Sequence, residues 1–199
     1  MKNLIKTAFP AIFLIIMIIS FNSCVAVVFK TAQPQNSKSL PSFPKELLGT
    51  FVDEEADTVI VTECCFEYGN DNSVFSQNID SLSKGTLELT RFDEFYILNQ
   101  KDETGWFVLL IKPGKNSFSA YFIDMDSLKS EITSNDDDMK SEKIIIEKIK
   151  KITPVQKINP QDRDNHFYLI NPTPDQLRKL IKGGFFVKVN EFKKIEATD

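Results

Sequence analysis

Few side chains in the sequence have the type and spacing that catalysis or metal binding requires. The reactive ones are three cysteines, Cys24, Cys64 and Cys65, and a single histidine, His166. One histidine cannot build a multi-histidine zinc site, and at a strand start it is more often structural. The sequence also has no phosphate-binding glycine loop and no nucleophile elbow. We therefore expect no catalytic residue, no cofactor and no metal site, and hence no enzyme.

The adjacent pair Cys64 and Cys65 is the unusual chemical feature of the chain. Successive side chains of a strand point to opposite faces of the sheet, so the two thiols are predicted to be poorly placed to bind one metal ion. A disulfide between sequence neighbours is strained, and the Cys-x-x-Cys spacing of redox motifs is absent. In an oxidising compartment the pair stays a redox candidate, with Glu67 or His166 nearby.

Two groups of acidic residues offer carboxylates. The first is a turn that contains Asp53, Glu54, Glu55 and Asp57. Hydrolysis by carboxylates needs two groups held across a cleft, which neighbours in one turn do not establish. The second is the run Asp136, Asp137 and Asp138, which lacks the alternating ligands and the glycine of a calcium loop. We interpret both groups as solvated turns.

The N-terminus has the layout of a signal peptide. Lys2 and Lys6 precede an uncharged apolar run, residues 8–19, which is followed by a short spacer, 20–23, and then by Cys24. This order resembles bacterial lipoprotein precursors, in which the cysteine is acylated, for example with palmitate, and becomes the mature N-terminus. Phe21 stands where those precursors usually have an aliphatic residue.

The resemblance implies that acyl chains on Cys24 hold the protein at a membrane, since each buried methylene contributes about 0.8 kcal/mol. A second interpretation stays open, because the apolar residues 25–29 extend the run. Residues 8–29 together reach the roughly 20 positions that a transmembrane helix needs. In both cases Lys2 and Lys6 stay inside, so the remainder lies in the cell envelope. No acidic export signal follows Cys24, which favours a periplasm-facing position.

The segment 30–44 is predicted to be a flexible tether. It contains Pro34, Pro41 and Pro44 among mostly small or polar residues, and the folded part is expected to begin near Phe43 to Leu48. We therefore divide the chain into a signal peptide at 1–23, a lipidated N-terminus and tether at 24–44, and a single globular domain at 45–199.

Strand signals with turns between them occupy the next part of the chain. The signals are β-branched and aromatic runs or alternation between apolar and polar residues, at 49–52, 58–62, 86–90, 95–98, 106–111 and 117–122. Successive strands joined by short turns indicate an antiparallel meander.

Helix signals follow the meander. A short helix is predicted at 126–132, and Ile145, Ile149 and Ile152 form one stripe of a helix at 139–152. The β-branched triplet 144–146 leaves a strand possible there.

The clearest local unit comes last. Thr173 and Gln176 form a capping box, which starts a helix between strand signals at 167–170 and 185–189. In the last strand Phe185, Val187 and Val189 are predicted to alternate with Phe186, Lys188 and Asn190. The fold class is therefore α+β, an antiparallel meander followed by a helix-containing part with a strand-helix-strand unit.

Composition narrows the function. The formal net charge of −4 makes nucleic acid an unfavourable partner, since phosphate binding needs a basic surface. The body resembles uncharacterised envelope lipoproteins of Bacteroidota-like bacteria. We expect a non-enzymatic module that binds another envelope protein. The alternative is a carrier of a small apolar ligand, because Gly49-Thr50-Phe51 is similar to the opening of lipocalin-like barrels, although an ordinary packed sheet face explains the same residues.

The lipidation prediction is tested by the intact mass of the membrane-extracted protein, measured for the natural sequence and for Cys24→Ser. We expect a chain that starts at Cys24 and carries acyl groups, because the acylated cysteine becomes the mature N-terminus. The substitution should abolish that species. An unmodified full-length mass would instead identify an uncleaved anchor.

Overall fold

The computed structural model describes residues 25–70, 73–78, 87–132, 138–160 and 166–195. These residues form one mixed sheet and three α-helices. The strands are β1 (Ala26–Phe29), β2 (Gly49–Val52), β3 (Thr58–Val61), β4 (Cys65–Asn70), β5 (Ser73–Asn78), β6 (Leu87–Phe92), β7 (Phe95–Asp102), β8 (Gly105–Pro113), β9 (Ser117–Phe122), β10 (Val155–Ile158), β11 (Phe167–Ile170) and β12 (Val187–Lys194). The helices are α1 (Met125–Ile132), α2 (Asp138–Lys150) and α3 (Pro174–Lys182).

The sheet confirms the α+β class. Its strand order is β10-β11-β1-β8-β9-β12-β2-β3-β4-β5, and β6 and β7 branch from β8. All pairings among the described strands are antiparallel except that of β1 with β11. The predicted meander strands correspond to the antiparallel pair β2–β3 and to β6 through β9, and the predicted strand-helix-strand unit to β11, α3 and β12.

The sheet separates two apolar cores, and its central strands are therefore buried on both faces. On β7, Ile97 faces the core that contains the helices, whereas Tyr96 and Leu98 face the other core. Leu110 and Ile111 of β8 divide in the same way. A strand covered on both faces needs apolar residues at consecutive positions, which explains why these strands have continuous apolar runs.

The second core is enclosed by the curled part of the sheet and filled by aromatic rings. Phe118 lies between two of them, with ring centroids 4.8 Å from Phe51 and 4.7 Å from Phe192. All three side chains are buried. Such rings occupy the interior space in which a lipocalin-like carrier would hold its ligand.

The helices pack on the opposite face through the predicted stripes. Ile145, Ile146 and Ile149 of α2 are buried, so the β-branched triplet belongs to a helix because tertiary burial outweighs its strand propensity. At the start of α3, Thr173 Oγ1 accepts from the backbone N–H of Gln176, whose side chain accepts from Thr173 N. The capping box is therefore confirmed.

β1 is a structural strand within the segment 24–44, which was predicted to be a lipidated N-terminus and a tether. It pairs in parallel with β11 and antiparallel with β8, and Phe29 is 1 % exposed. Gly105 of β8 permits this contact, because a Cβ there would lie 2.7 Å from the carbonyl oxygen of Phe29 and from the Val28 side chain. The apolar run 25–29 thus meets the requirement of a strand covered on both faces, which needs apolar residues at consecutive positions.

The rest of that segment, residues 30–44, is a strap fixed to the sheet. Gln33 is fully buried, and its N–H donates to Asn99 Oδ1 at 2.7 Å. Its carbonyl oxygen accepts from Asn99 Nδ2 at 2.8 Å and from Thr90 Oγ1 at 2.9 Å. Further along, Leu40 N donates to Leu89 O on β6. The strap therefore continues the fold that begins with β1.

The expectation of a flexible tether is wrong for residues 30–44, and so is a domain start near Phe43 to Leu48. The proline content suggested flexibility, but buried backbone groups of the strap find hydrogen-bond partners on β6 and β7. Cys24, the spacer and the apolar run 8–19 lie outside the described residues. No described helix has the length and apolarity needed to cross a membrane.

The predicted alternation in the last strand is also wrong. Phe185 and Phe186 are both buried before β12 begins, and Val189 is 39 % exposed. The pairing of β12 with β9 shifts register between Lys188 and Asn190. Such a bulge reorients the side chains on either side of it.

Removal of the Asn99 side chain should detach the strap. Asn99→Ala leaves the N–H of Gln33 buried without its partner and removes one donor to its carbonyl oxygen. We expect the free energy of unfolding to fall by roughly 2–4 kcal/mol, measured by urea denaturation. The control is Gln100→Ala, at an exposed position of the same strand. Equal effects of the two substitutions would contradict a fixed strap.

Candidate functional site

A cleft of about 380 Å³ lies between α2 and the two strands β10 and β11. Ile146, Val155 and Tyr168 supply its apolar surface, and charged side chains surround them. The volume falls within the usual range of ligand-binding sites, roughly 300–1,000 Å³. It combines concavity with convergent polar groups.

The cleft exists because the chain reverses direction after α2. The backbone N–H of Thr153 still bonds to Ile149 O, and Pro154 then prevents the helix from continuing. β10 begins at Val155 and pairs antiparallel with β11, with Val155 opposite Ile170 and Ile158 opposite Phe167. One side of α2 consequently faces β10 and β11.

Glu142 joins the helix to the sheet at one end of the cleft. One carboxylate oxygen, Oε1, accepts from the Tyr168 hydroxyl at 2.6 Å and contacts His166 Nε2 at 2.8 Å. The rings of His166 and Tyr168 also pack edge to face, with centroids 5.3 Å apart. These contacts fix the relative positions of α2 and β11.

The contacts among Glu142, His166 and Tyr168 change the pKa of the Glu142 carboxyl and of the Tyr168 hydroxyl. Burial would raise the pKa of Glu142, but hydrogen bonds from Tyr168 and His166, with the charges of His166 and Lys129, hold it below its ordinary value. Burial, the hydrogen bond to Glu142 and the charge of that carboxylate raise the pKa of Tyr168. Glu142 is therefore an anion at neutral pH and Tyr168 a neutral donor.

Lysines give the cleft a cationic rim. Lys150 forms an ion pair with Glu147 at 2.7 Å, and Lys157 Nζ lies 5.9 Å from the centroid of the Tyr168 ring. Among the described residues no carboxylate forms an ion pair with Lys143 or Lys157. Two ammonium groups at the rim are consequently available to an acidic ligand.

β10 contributes a second binding element, since it is the end strand of the sheet. Within the described residues it pairs only with β11, and no backbone bond reaches its outer edge. An end strand presents backbone donors and acceptors to which an extended segment can pair. The free edge of β10 is therefore suited to bind an extended peptide segment.

The sequence placed His166 correctly at a strand start but did not associate it with this cleft. Glu142 and Tyr168 were missed because their partners are distant in sequence. One signal was present: Glu142, Ile146 and Lys150 recur every four residues beside the buried stripe of α2, and they line the cleft together.

The acidic turn before β3 has a structural role. Asp53 Oδ1 accepts from the backbone N–H groups of Glu55 and Asp57 at 3.0 and 2.9 Å, and its Oδ2 accepts from Asn190 at 2.8 Å. Tyr68 donates to Asp57 at 2.9 Å. Asp53 thus closes the β2–β3 hairpin and ties it to β12.

The two adjacent thiols do not point to opposite faces, so that premise is wrong. Cys64 lies in the turn before β4, and only Cys65 belongs to the strand. Their Sγ atoms are 3.5 Å apart. The strand rule fails because it applies only when both residues have strand conformation.

Metal-binding geometry is not found within the described ranges. Those residues contain no group of three or more histidine, cysteine, aspartate or glutamate side chains placed to hold an ion. Asp136 and Asp137 of the acidic run lie outside the described residues, and Asp138 begins α2.

No protein-family model, no curated protein and no solved structure matches this chain. Function must therefore be inferred from its own residues. The cleft offers a concave surface, a strand edge and two available ammonium groups, all within the segment 142–168.

Loss of the Glu142 charge should destabilise the protein in a pH-dependent way. The pKa of Glu142 is lower in the folded chain, so its stabilisation is present above the ordinary glutamate pKa, about 4.3, and is lost as the pH falls through the folded value. At pH 7 we expect Glu142→Gln to lower the free energy of unfolding by about 1–2 kcal/mol. Below about pH 4 the difference should close.

The control is Glu147→Gln, on the same helix and the same cleft but exposed to solvent. Urea denaturation of both variants at pH 7 and at acidic pH measures the effect. A Glu142→Gln difference that stayed constant across the pH range would contradict a role for the charge.

Proposed function

We propose that the protein is a lipid-anchored module of a bacterial cell envelope that binds an extended, acidic segment of another envelope protein. The observation that carries the proposal is the cleft between α2 and β10, in which a cationic rim borders an unpaired strand edge. The function is binding, with no catalytic step.

The shape of the cleft supports an extended occupant. A segment that pairs with β10 would add a strand to the sheet, and every second side chain would then point toward α2. Ile146, Val155 and Tyr168 offer apolar contacts to those side chains. Backbone pairing would provide affinity, and the cleft would provide selectivity.

The charge of the cleft supports an acidic occupant. Glu142 is engaged by His166 and Tyr168, and Glu147 by Lys150. Lys143 and Lys157 then determine the sign of the potential at the rim. An acidic side chain or a C-terminal carboxylate would compensate both ammonium groups, whereas a basic segment would be repelled.

A lipid anchor on Cys24, as proposed, would favour a partner in the same membrane. Cys24 precedes β1 by one residue, and Ala26 pairs with Phe167, the neighbour of His166. Two extended residues span about 7 Å. A lipid on Cys24 would therefore hold the His166 end of the cleft close to the bilayer surface.

The carrier function receives less support from the molecule. Phe51, Phe118 and Phe192 fill the second core with packed rings, whereas the cleft lies between α2 and the strands β10 and β11. We therefore base the proposal on the cleft.

Photo-crosslinking in cells tests the proposal. A photoreactive residue at Glu147, on the cleft rim, should capture a membrane protein through an acidic segment, and a synthetic peptide of that segment should bind the purified protein. The same residue at Ile144 is the matched control, because Ile144 is exposed on the same helix but does not line the cleft.

Charge reversal supplies the second test. Lys143→Glu combined with Lys157→Glu should abolish the crosslink and weaken peptide binding at least tenfold, because two attractive contacts become repulsive. Lys115→Glu combined with Lys193→Glu changes the net charge equally at exposed positions away from the cleft. Equal crosslinking by both double variants, or none from position 147, would refute the proposal.

A further inference from the structure

We propose that Cys64 and Cys65 form a reversible thiol–disulfide site that exchanges with a disulfide of another protein or of a small molecule. Their Sγ atoms are 3.5 Å apart. The pair lies in the β3–β4 turn, and β4 and β10 are at opposite ends of the strand order. The inference is therefore independent of the function proposed for the cleft.

The β3–β4 turn brings the two thiols together. Thr62 N donates to Cys65 O at 2.8 Å, and Cys65 N donates to Thr62 Oγ1 at 3.1 Å. These two bonds close a tight turn with Cys64 inside it. Because Cys64 lacks strand conformation, its side chain lies on the same side as that of Cys65.

The Thr62 hydroxyl is placed to act on both sulfur atoms. Its Oγ1 lies 2.9 Å from Cys65 Sγ and 3.5 Å from Cys64 Sγ. The same hydroxyl accepts from Cys65 N at 3.1 Å and donates to Cys65 O at 3.2 Å, so it holds the turn in which the two sulfur atoms meet. Thr62 is thus a positioning residue for the pair.

Exposure assigns a role to each cysteine. Cys64 is exposed and Cys65 is half-buried. An incoming disulfide reaches Cys64 first, and Cys65 stands behind it at the distance needed to complete the exchange. Cys64 is the attacking residue and Cys65 the resolving one.

The exchange is balanced in two steps. The Cys64 thiolate attacks one sulfur of the incoming disulfide, which forms a mixed disulfide and releases one thiolate. The Cys65 thiolate then attacks Cys64 Sγ, which forms the Cys64–Cys65 bond and releases the second thiolate. The two electrons pass to the incoming disulfide, and the two thiol protons pass through solvent to the leaving thiolates.

A disulfide between Cys64 and Cys65 closes a small ring with the backbone between them. We expect reduction to open this ring readily. Neighbouring Cα atoms are about 3.8 Å apart, below the roughly 4.4–6.8 Å that disulfides usually span. Strained, exposed disulfides are the labile and regulatory ones. The pair therefore acts as a switch, whereas a structural staple would need better geometry.

The strap is the element that this switch affects. Glu63 lies in the same turn, and its carbonyl oxygen accepts from the backbone N–H of Phe43 at 3.1 Å. Ring closure constrains the Cys64–Cys65 peptide and the backbone angles of Cys64, the residue that follows the Glu63 carbonyl, so we expect the bond that holds Phe43 to be weakened. Oxidation then loosens the C-terminal end of the strap.

Oxidised glutathione and the full chain test the chemistry. Trypsin releases residues 46–84 as one peptide that contains Cys64 and Cys65 but not Cys24. After oxidation, mass spectrometry should find this peptide two hydrogen atoms lighter and without glutathione. Cys65→Ser should retain one glutathione on Cys64, because the resolving thiol is gone.

Thr62 provides the graded control. Thr62→Val should slow ring closure several-fold, and Thr62→Ser, which keeps the hydroxyl, should restore it. A natural peptide that keeps a stable glutathione adduct, or that stays a dithiol under conditions that fully modify Cys65→Ser, would overturn the proposal.

Hydrogen exchange tests the coupling to the strap. Exchange at the Phe43 amide should rise on oxidation, while the Leu40 amide, which bonds to Leu89 on β6, should not change. Unchanged exchange at Phe43 would overturn the coupling.

Discussion

Burial of β1 is the constraint on which the rest of the molecule depends. This strand connects β11 and β10 to β8, and in the described residues those two strands reach the sheet only through it. Val28 and Phe29 are almost completely buried, and each such side chain contributes about 1.5–3 kcal/mol. The cleft needs β10 and β11 in place opposite α2. A site at the surface is thus supported by an apolar strand of which three of the four residues are buried.

The sequence predicted the elements whose signals are local. The capping box of Thr173 and Gln176, the isoleucine stripe of α2 and the alternating strands of the meander each depend on neighbours within a few positions. β1 was missed because its apolar residues follow directly on a hydrophobic N-terminal run, and its partners are far along the chain. Prolines in the strap suggested flexibility, yet the bonds of Gln33 to Asn99 and Thr90 give the strap fixed partners.

In the candidate sites, too, the sequence predicted what depends on local signals and missed what depends on distant contacts. His166 could be assigned to a strand start, but its contact with Glu142 needs α2 and β11 to pack together, which no local pattern encodes. For Cys64 and Cys65 the strand rule gave the wrong geometry, since the boundary between turn and strand falls between the two residues. One position decides whether the thiols diverge or meet, and element boundaries are the least certain part of a sequence-based prediction.

The distance along the chain between β1 and its partners also determines the order of folding. The strap residue Thr31 bonds to Asn171 across 140 residues, and Gln33 bonds to Asn99 across 66. Contacts this distant close slowly, because the entropy of a long loop is lost before the contact compensates for it. β1 is synthesised before β8 and β11, so its pairing must wait for both partners. Until β11 has been made, its apolar residues have no parallel partner, and a chaperone that shields them during this interval would protect the chain from aggregation.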